Sequence, residues 1–185
     1  MAELIADLFV SLDGFAAGGD QAFFGYAGPE LDSWVREALG RPQLLVMGRV
    51  TYEALAQISA AATDEASTRM TELPKAVVSN TLTEPLAWNN TRLVRGGLEA
   101  VRALKQQSAD PLRSIGSLSL VRGMVRLGLV DRLRIMTFPL TLGEAGREPA
   151  LAGYPRAALE LVATRVLDSR LVLVEYRPQI EARAE

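Results

Sequence analysis

Short apolar runs separated by glycine, proline and polar clusters set the rhythm of this chain. Leu4–Ser11 is apolar, with Asp7 as its charged interruption, and reads as a strand. Pro29–Leu39 places Leu31, Trp34, Val35, Ala38 and Leu39 at helical spacing. Pro29 suits a first helical position, Glu30 and Asp32 favour the N-terminal dipole, and Gly40 can end the helix. Residues 43–47 predict a strand buried on both faces, and 50–58 a helix. The alanine- and threonine-rich stretch 59–72 has little pattern and reads as an exposed loop with a helical piece at most. Residues 75–82 form a short apolar strand ending in hydrogen-bonding residues, and Thr91–Val94 is another strand. Gly97–Gln107 is a helix with Leu98, Val101 and Leu104 on one face; Leu112–Ile115 is a weak strand; 117–127 is a helix stopped by Gly128. From Val130 the pattern alternates, Leu133, Ile135 and Thr137 against Arg132, Arg134 and Met136. Residues 159–167 and 170–176 flank an Asp168-Ser169 turn, an antiparallel hairpin.

Strands alternating with helices require parallel crossovers, and the strand-rich tail adds antiparallel edges. The expected fold is α/β: three layers, a mixed and mostly parallel sheet flanked by helices, with an antiparallel C-terminal hairpin. One domain over 1–178 and a frayed tail over 179–185 are expected.

Composition narrows the chemistry. The chain has 185 residues, 49% of them apolar, enough for one sizeable core. Net charge is −2 with both signs mixed, so nucleic acid is not an expected partner. There is no histidine and no cysteine. Thiol nucleophiles, disulfides, Cys/His zinc sites and Ser-His-Asp arrangements are excluded, and no metal is expected. An enzyme of this composition relies on Asp, Glu, Lys, Arg, Tyr, Ser and Thr, or on a bound cofactor. No signal peptide and no membrane-spanning run is visible, and the absence of cysteine fits the cytoplasm.

Three strand ends carry residues suited to phosphate. At Gly48-Arg49-Val50-Thr51 an apolar strand breaks at glycine and continues as a helix, whose first N–H groups are unpartnered and carry partial positive charge. Arg49 adds a planar cationic fork and Thr51 a hydroxyl. Ser79-Asn80-Thr81 and Gly116-Ser117-Leu118 end two further strands. In open α/β sheets ligands sit beyond the carboxyl ends of the strands, so one extended phosphorylated ligand can bridge all three. Neither G-x-G-x-x-G nor G-x-x-x-x-G-K-[ST] is present. The glycine-rich loop 16–26, with Phe23 and Phe24, is either a connector or a substrate-side lid. Asp7, inside an apolar strand, is paired, at an edge, or facing a cavity. Asp13 holds its own turn.

Taken in order, Val10-Ser11-Leu12-Asp13-Gly14-Phe15, Met47-Gly48-Arg49-Val50-Thr51-Tyr52-Glu53, the segment from Lys75 through Ser79-Asn80-Thr81-Leu82, Ile115-Gly116-Ser117 and Gly128-Leu129-Val130-Asp131-Arg132-Leu133 carry a resemblance over nearly the whole chain. The chain resembles the dihydrofolate reductase-like superfamily, in the branch of the reductase domain of bifunctional riboflavin-biosynthesis proteins. That resemblance implies an NADPH-binding mixed sheet. It implies that Gly48, Arg49, Val50 and Thr51 hold cofactor phosphates, Arg49 near the 2′-phosphate. By the same resemblance Ser79, Asn80 and Thr81 lie toward the adenosine, and Gly116, Ser117 and Leu118 under the pyrophosphate. Ser117 departs from the glycine pair of the family. Asp32 matches the carboxylate that contacts a pterin, and Asp7 is the other acidic candidate. The family's habit of dimerising implies a homodimer, for which Ile135, Phe138, Leu171 and Leu173 serve unless they are core.

The expected function is NADPH-dependent reduction of a small pterin- or pyrimidine-like substrate. The alternatives are the 5-amino-6-(5-phosphoribosylamino)uracil reductase of riboflavin synthesis and a non-catalytic NADP-binding module. The riboflavin-pathway substrate carries a phosphate, yet the 16–26 loop has no Lys or Arg, and no deaminase domain is present.

Overall fold

The computed structural model describes residues 1–18 and 23–179. Among these the order is β1 (Leu4–Ser11), β2 (Phe15–Gly18), α1 (Pro29–Leu39), β3 (Leu44–Gly48), α2 (Arg49–Ala61), α3 (Glu65–Glu72), β4 (Lys75–Val78), β5 (Thr91–Val94), α4 (Gly97–Gln107), β6 (Leu112–Ile115), α5 (Leu118–Arg126), β7 (Arg132–Phe138), β8 (Gly146–Pro149), β9 (Ala158–Leu167) and β10 (Leu171–Gln179). Eight of the described strands form one sheet in the order β5-β4-β3-β6-β1-β7-β10-β9. Pairings from β5 through β7 are parallel, while β10 runs antiparallel to both β7 and β9. This is the expected three-layer α/β fold with its C-terminal hairpin.

Both sheet faces are covered, which is why β3 reads as an unbroken apolar run rather than an alternation. On one face Leu4, Ala6, Leu8 and Val10 pack with Val101 of α4 and Val121, Met124 and Val125 of α5. On the other, Leu31 and Trp34 of α1 share a cluster with Met136, Phe138, Leu171 and Leu173, while Leu39, Tyr52 and Leu73 join Leu45, Met47, Val77 and Trp88. Ile135, Phe138, Leu171 and Leu173 are therefore core residues, at most 9% exposed, and not a dimer surface.

The entry to α1 is capped from a distance. Gly28 offers no side chain, so the Asp168 carboxylate accepts the N–H groups of Glu30 (2.9 Å) and Leu31 (3.0 Å). The Glu30 carboxylate accepts the Asp168 N–H in return. Asp168 and Ser169, in the three-residue loop between β9 and β10, both sit at φ +53°. A Cβ at Gly28 would lie 2.5 Å from Asp168 Oδ1, so glycine is required there by close approach.

Four features differ from the sequence expectation. The stretch read as a loop over 59–72 contains the end of α2 and all of α3. That helix buries none of its residues fully; only Ala66 and Met70, four positions apart, pack against the core, and its ends supply further anchors. Asp64 accepts the Ser67 N–H at 3.0 Å, and the buried Lys75 ammonium donates to the carbonyls of Met70, Thr71 and Leu73 at 2.7–2.9 Å. Second, β2 and β8 form a small antiparallel sheet where loops were expected. Third, of the 16–26 loop, 16–18 belong to β2 and Phe24–Tyr26 form a single 3₁₀ turn, while 19–22 lie outside the described residues. Fourth, the strand expected to end at Tyr176 continues to Gln179, because Arg177, Pro178 and Gln179 pair with β9 and the side chains of Arg177 and Gln179 reach Glu160. Position 179 is thus strand rather than tail, and 180–185 lie outside the described residues.

Candidate active site

The carboxyl ends of β4, β3, β6 and β1 open onto a cleft of about 970 Å³. Gly48, Arg49, Val50 and Thr51 line it from one junction, and Gly116, Ser117 and Leu118 from the next. The two junctions are latched together. The Gly48 N–H donates to Ser117 Oγ at 3.0 Å, and the Ser117 N–H donates to Thr51 Oγ1 at 3.0 Å. Both hydroxyls accept in these bonds, so each keeps its proton for a further partner. The latch holds Gly116 at φ +65° and Ser117 at φ +52°. Ser117 has a Cβ, and the left-handed region costs it about 1–2 kcal/mol. Strain of this kind persists where surrounding bonds over-determine the backbone.

Two helix starts at the cleft favour negative charge, although Asp7 and Glu148 also line it beside Arg49 and Arg122. Neither α2 nor α5 has an acidic residue in its first turn, so both helices leave unopposed N–H groups and partial positive charge at the opening. Arg49 is the first residue of α2, where a cation is locally unfavourable. Its guanidinium meets Glu53 at 2.8 Å in a pair nearly half exposed on both sides, which is a weak restraint. Gly97, opening α4, lines the cleft as well. The far wall brings Ala16 and Ala17 of β2, Glu148 of β8 and Arg122 of α5. Burial pushes the nearby Tyr154 phenol up to about 12, against the pull of Arg122, and its hydroxyl has no hydrogen-bond partner among the described residues.

The third expected strand end behaves differently. Ser79 Oγ accepts the N–H groups of Thr81 and Leu82, each at 3.1 Å, and so serves its own turn. Ser79, Asn80 and Thr81 do not line the cleft; Val78, one residue earlier, does. The expectation that all three phosphate-friendly turns share one groove is corrected to two of them, joined by Val78 and Gly97. The Gly96-Gly97 doublet after β5 repeats the strand–glycine–helix signature and could have been read from the sequence. Ala16, Ala17 and Glu148 carry no such signal, because β2 and β8 meet across some 130 positions of chain.

Phe9 lines this cleft and also a second cavity of about 380 Å³. Phe9, Phe23 and Phe138 wall that cavity, with Phe138 centroids 5.5 and 5.0 Å from the other two rings. Asp32 lies on its rim, exposed, with Arg36, Asp64 and Glu65. The helix-capping role open to Asp32 is taken by Asp168. Among the described residues no group of three acidic side chains is arranged to hold a metal ion.

Asp7 is elsewhere in character. It is 2% exposed, bonded through Oδ2 to Arg113 at 2.5 Å and through Oδ1 to Arg134 at 2.7 Å. Both guanidiniums lie 5.5 Å from the Trp34 ring. Burial pulls Arg113 below its ordinary value, and the Asp7 charge opposes that pull. Asp7 borders the cleft, and its carboxylate is engaged there by two guanidiniums, the arrangement of a structural ion cluster.

Comparison with known proteins now bears on this geometry. Residues 2–173 match the model of the RibD C-terminal domain. The chain belongs to the RibD C-terminal domain family. Within reach of the family are an uncharacterized Bacillus subtilis protein, YyaP, 27% identical over 179 residues covering 94% of this chain and 93% of that one. A Shewanella sp. PV-4 structure provisionally assigned to riboflavin biosynthesis superposes with a TM-score of 0.78 at 24% identity, over 97% of this chain and 100% of that one. A Thermotoga maritima diaminohydroxyphosphoribosylaminopyrimidine deaminase/5-amino-6-(5-phosphoribosylamino)uracil reductase superposes at 0.65 with 17% identity, over 96% of this chain but 56% of that protein. The fold is thus the dihydrofolate reductase-like fold of riboflavin-pathway reductase domains. Among the described residues no helix is long and apolar enough to cross a membrane.

Proposed function

We propose that this protein is an NADPH-dependent oxidoreductase acting on a small nitrogen heterocycle. The observation that carries this reading is the latched pair of helix starts, with Arg49 beside them, facing one cleft of about 970 Å³. The residues fit the cofactor: a Cβ at Gly48 would meet nothing within 4 Å, so the backbone there is bare toward the cleft. The N–H groups at the starts of α2 and α5 and the hydroxyls of Thr51 and Ser117 would hold phosphate, and Arg49 the 2′-phosphate. When bound, NADPH supplies a hydride to an electrophilic ring or imine carbon, the adjoining heteroatom taking up a proton. Phe9 separates the cleft from the pocket where the heterocycle would stack, and the Asp32 carboxylate would orient it or relay the proton.

Arg49→Ala tests the reading. NADPH binding, followed by its fluorescence, should weaken about tenfold, as loss of a charge-assisted hydrogen bond implies. NADH, lacking the 2′-phosphate, should change less than about twofold. Equal loss for both, or no binding of either by the unaltered protein, refutes it. NADPH binding without oxidation by any pterin or pyrimidine favours a module without turnover.

The family match favours a second reading, reduction of 5-amino-6-(5-phosphoribosylamino)uracil, which complementation of a strain lacking that reductase would test. A homodimer is proposed through β9, whose outer edge is unpaired among the described strands and whose Leu161 and Val166 are about 60% exposed. Light scattering reporting a monomer at working concentration would refute the dimer.

A further inference from the structure

Resting on the reductase reading above, we infer that the substrate pocket selects an unphosphorylated heterocycle, with Asp64 and Glu65 as the residues that reject a phosphate. The pocket beyond Phe9 is walled by the tilted rings of Phe9, Phe23 and Phe138 and has a charged rim. Four ionisable side chains line it: Asp32 and Arg36 from α1, and Asp64 and Glu65 from the start of α3. Three are acids and one is a base, so the rim carries two net negative charges. Asp32, Arg36 and Glu65 make no ion pair among the described residues, so the three carboxylates are not neutralised from outside. Asp64 stays charged as well, since the N–H and hydroxyl of Ser67 hold its carboxyl below the usual range.

A phosphate monoester brings nearly two negative charges to this rim and finds Arg36 as its single basic partner among the described residues. A neutral or cationic heterocycle brings none of that repulsion and can offer ring N–H donors to Asp32. The aromatic walls accept either equally, so the discrimination is electrostatic and falls on the charged rim. The cations of the large cleft cannot help, because Arg49 lies at the α2 start and does not line this pocket.

The test uses the full chain and two compounds that differ by one group: 5-amino-6-(5-phosphoribosylamino)uracil and its dephosphorylated ribosylamino form. NADPH binding is first measured alone; its absence would overturn the reductase reading itself. With NADPH saturating, calorimetric titration should show the dephosphorylated compound binding on the order of tenfold tighter at low salt, with the gap closing as salt rises. Glu65→Lys should tighten the phosphorylated compound and leave the other unchanged, with Glu65→Gln intermediate. Glu65 is exposed, so these variants are expected to fold, which thermal unfolding would check. The inference is overturned if NADPH binds but the phosphorylated compound binds as tightly as its partner, if neither compound binds, or if the ratio ignores both salt and Glu65→Lys.

Discussion

Replacing Asp7 by Asn asks whether the buried carboxylate is structural. Asn preserves the volume but removes the charge that two guanidiniums share. Arg113 is 5% exposed and its Nη1 already lacks a hydrogen-bond partner, so it has no route to water once Asp7 is neutral. Contacts of 2.5 and 2.7 Å put the charge centres roughly 4 Å apart, worth about 4 kcal/mol per pair at an effective dielectric near 20. Folding has already desolvated the arginines, so breaking the cluster should cost about 3–5 kcal/mol. For a domain of this size that is a fall in Tm of roughly 6–20 °C. Urea unfolding followed by tryptophan fluorescence would measure it, since Trp34 lies over both guanidiniums. Replacing all three members together, Asp7→Leu with Arg113→Met and Arg134→Met, should recover most of the loss, because no unpaired charge remains. NADPH affinity of the folded fraction should stay within about twofold, since the Asp7 carboxylate faces the arginines. An Asp7→Asn protein within about 1 kcal/mol of the unaltered one, but inactive, would refute the structural assignment and favour a catalytic role for Asp7.

Asp168→Ala should destabilise by about 1–2 kcal/mol in urea, by uncapping the Glu30 and Leu31 N–H groups, whereas Asp168→Asn, which keeps an acceptor and tolerates positive φ, should cost less than half of that. Tyr154 predicts a pH dependence. The unfolded phenol ionises near 10 and the folded one near 12, so between these values the folded state binds more protons and stability falls as pH rises. The difference between the unaltered protein and Tyr154→Phe, measured by urea unfolding from pH 9 to 12, should reach about 1–2 kcal/mol after discounting partial exposure; a flat difference would refute it. Below pH 9 Tyr154→Phe should be neutral or slightly stabilising, because the hydroxyl has no partner to lose.

The layers of this protein were legible in its sequence because they rest on local periodicity and punctuation. Both-sided burial makes β3 and β4 continuous apolar runs, Pro29 and Gly40 bracket α1, and Asp168-Ser169 turns the hairpin where expected. Two of the strand–glycine–helix junctions were legible for the same reason: the unpartnered N–H groups of a helix start are a property of neighbouring residues.

What sequence alone left open was decided by partners distant along the chain. α3 offers only Ala66 and Met70 as an apolar pair, too little to betray it in sequence, and Asp64 and Lys75 satisfy its ends. Asp7 was open among paired, at an edge and facing a cavity until the fold showed it paired with Arg113 and Arg134, more than 100 positions away, on the border of the cleft. The same holds for Ser79, whose hydroxyl is spent inside its own turn, and for Ser117, whose hydroxyl ties the two strand–glycine–helix junctions together. A side chain's type fixes what it can donate or accept; which groups lie within three ångströms of it depends on how the sheet is ordered, and strand order is a tertiary property.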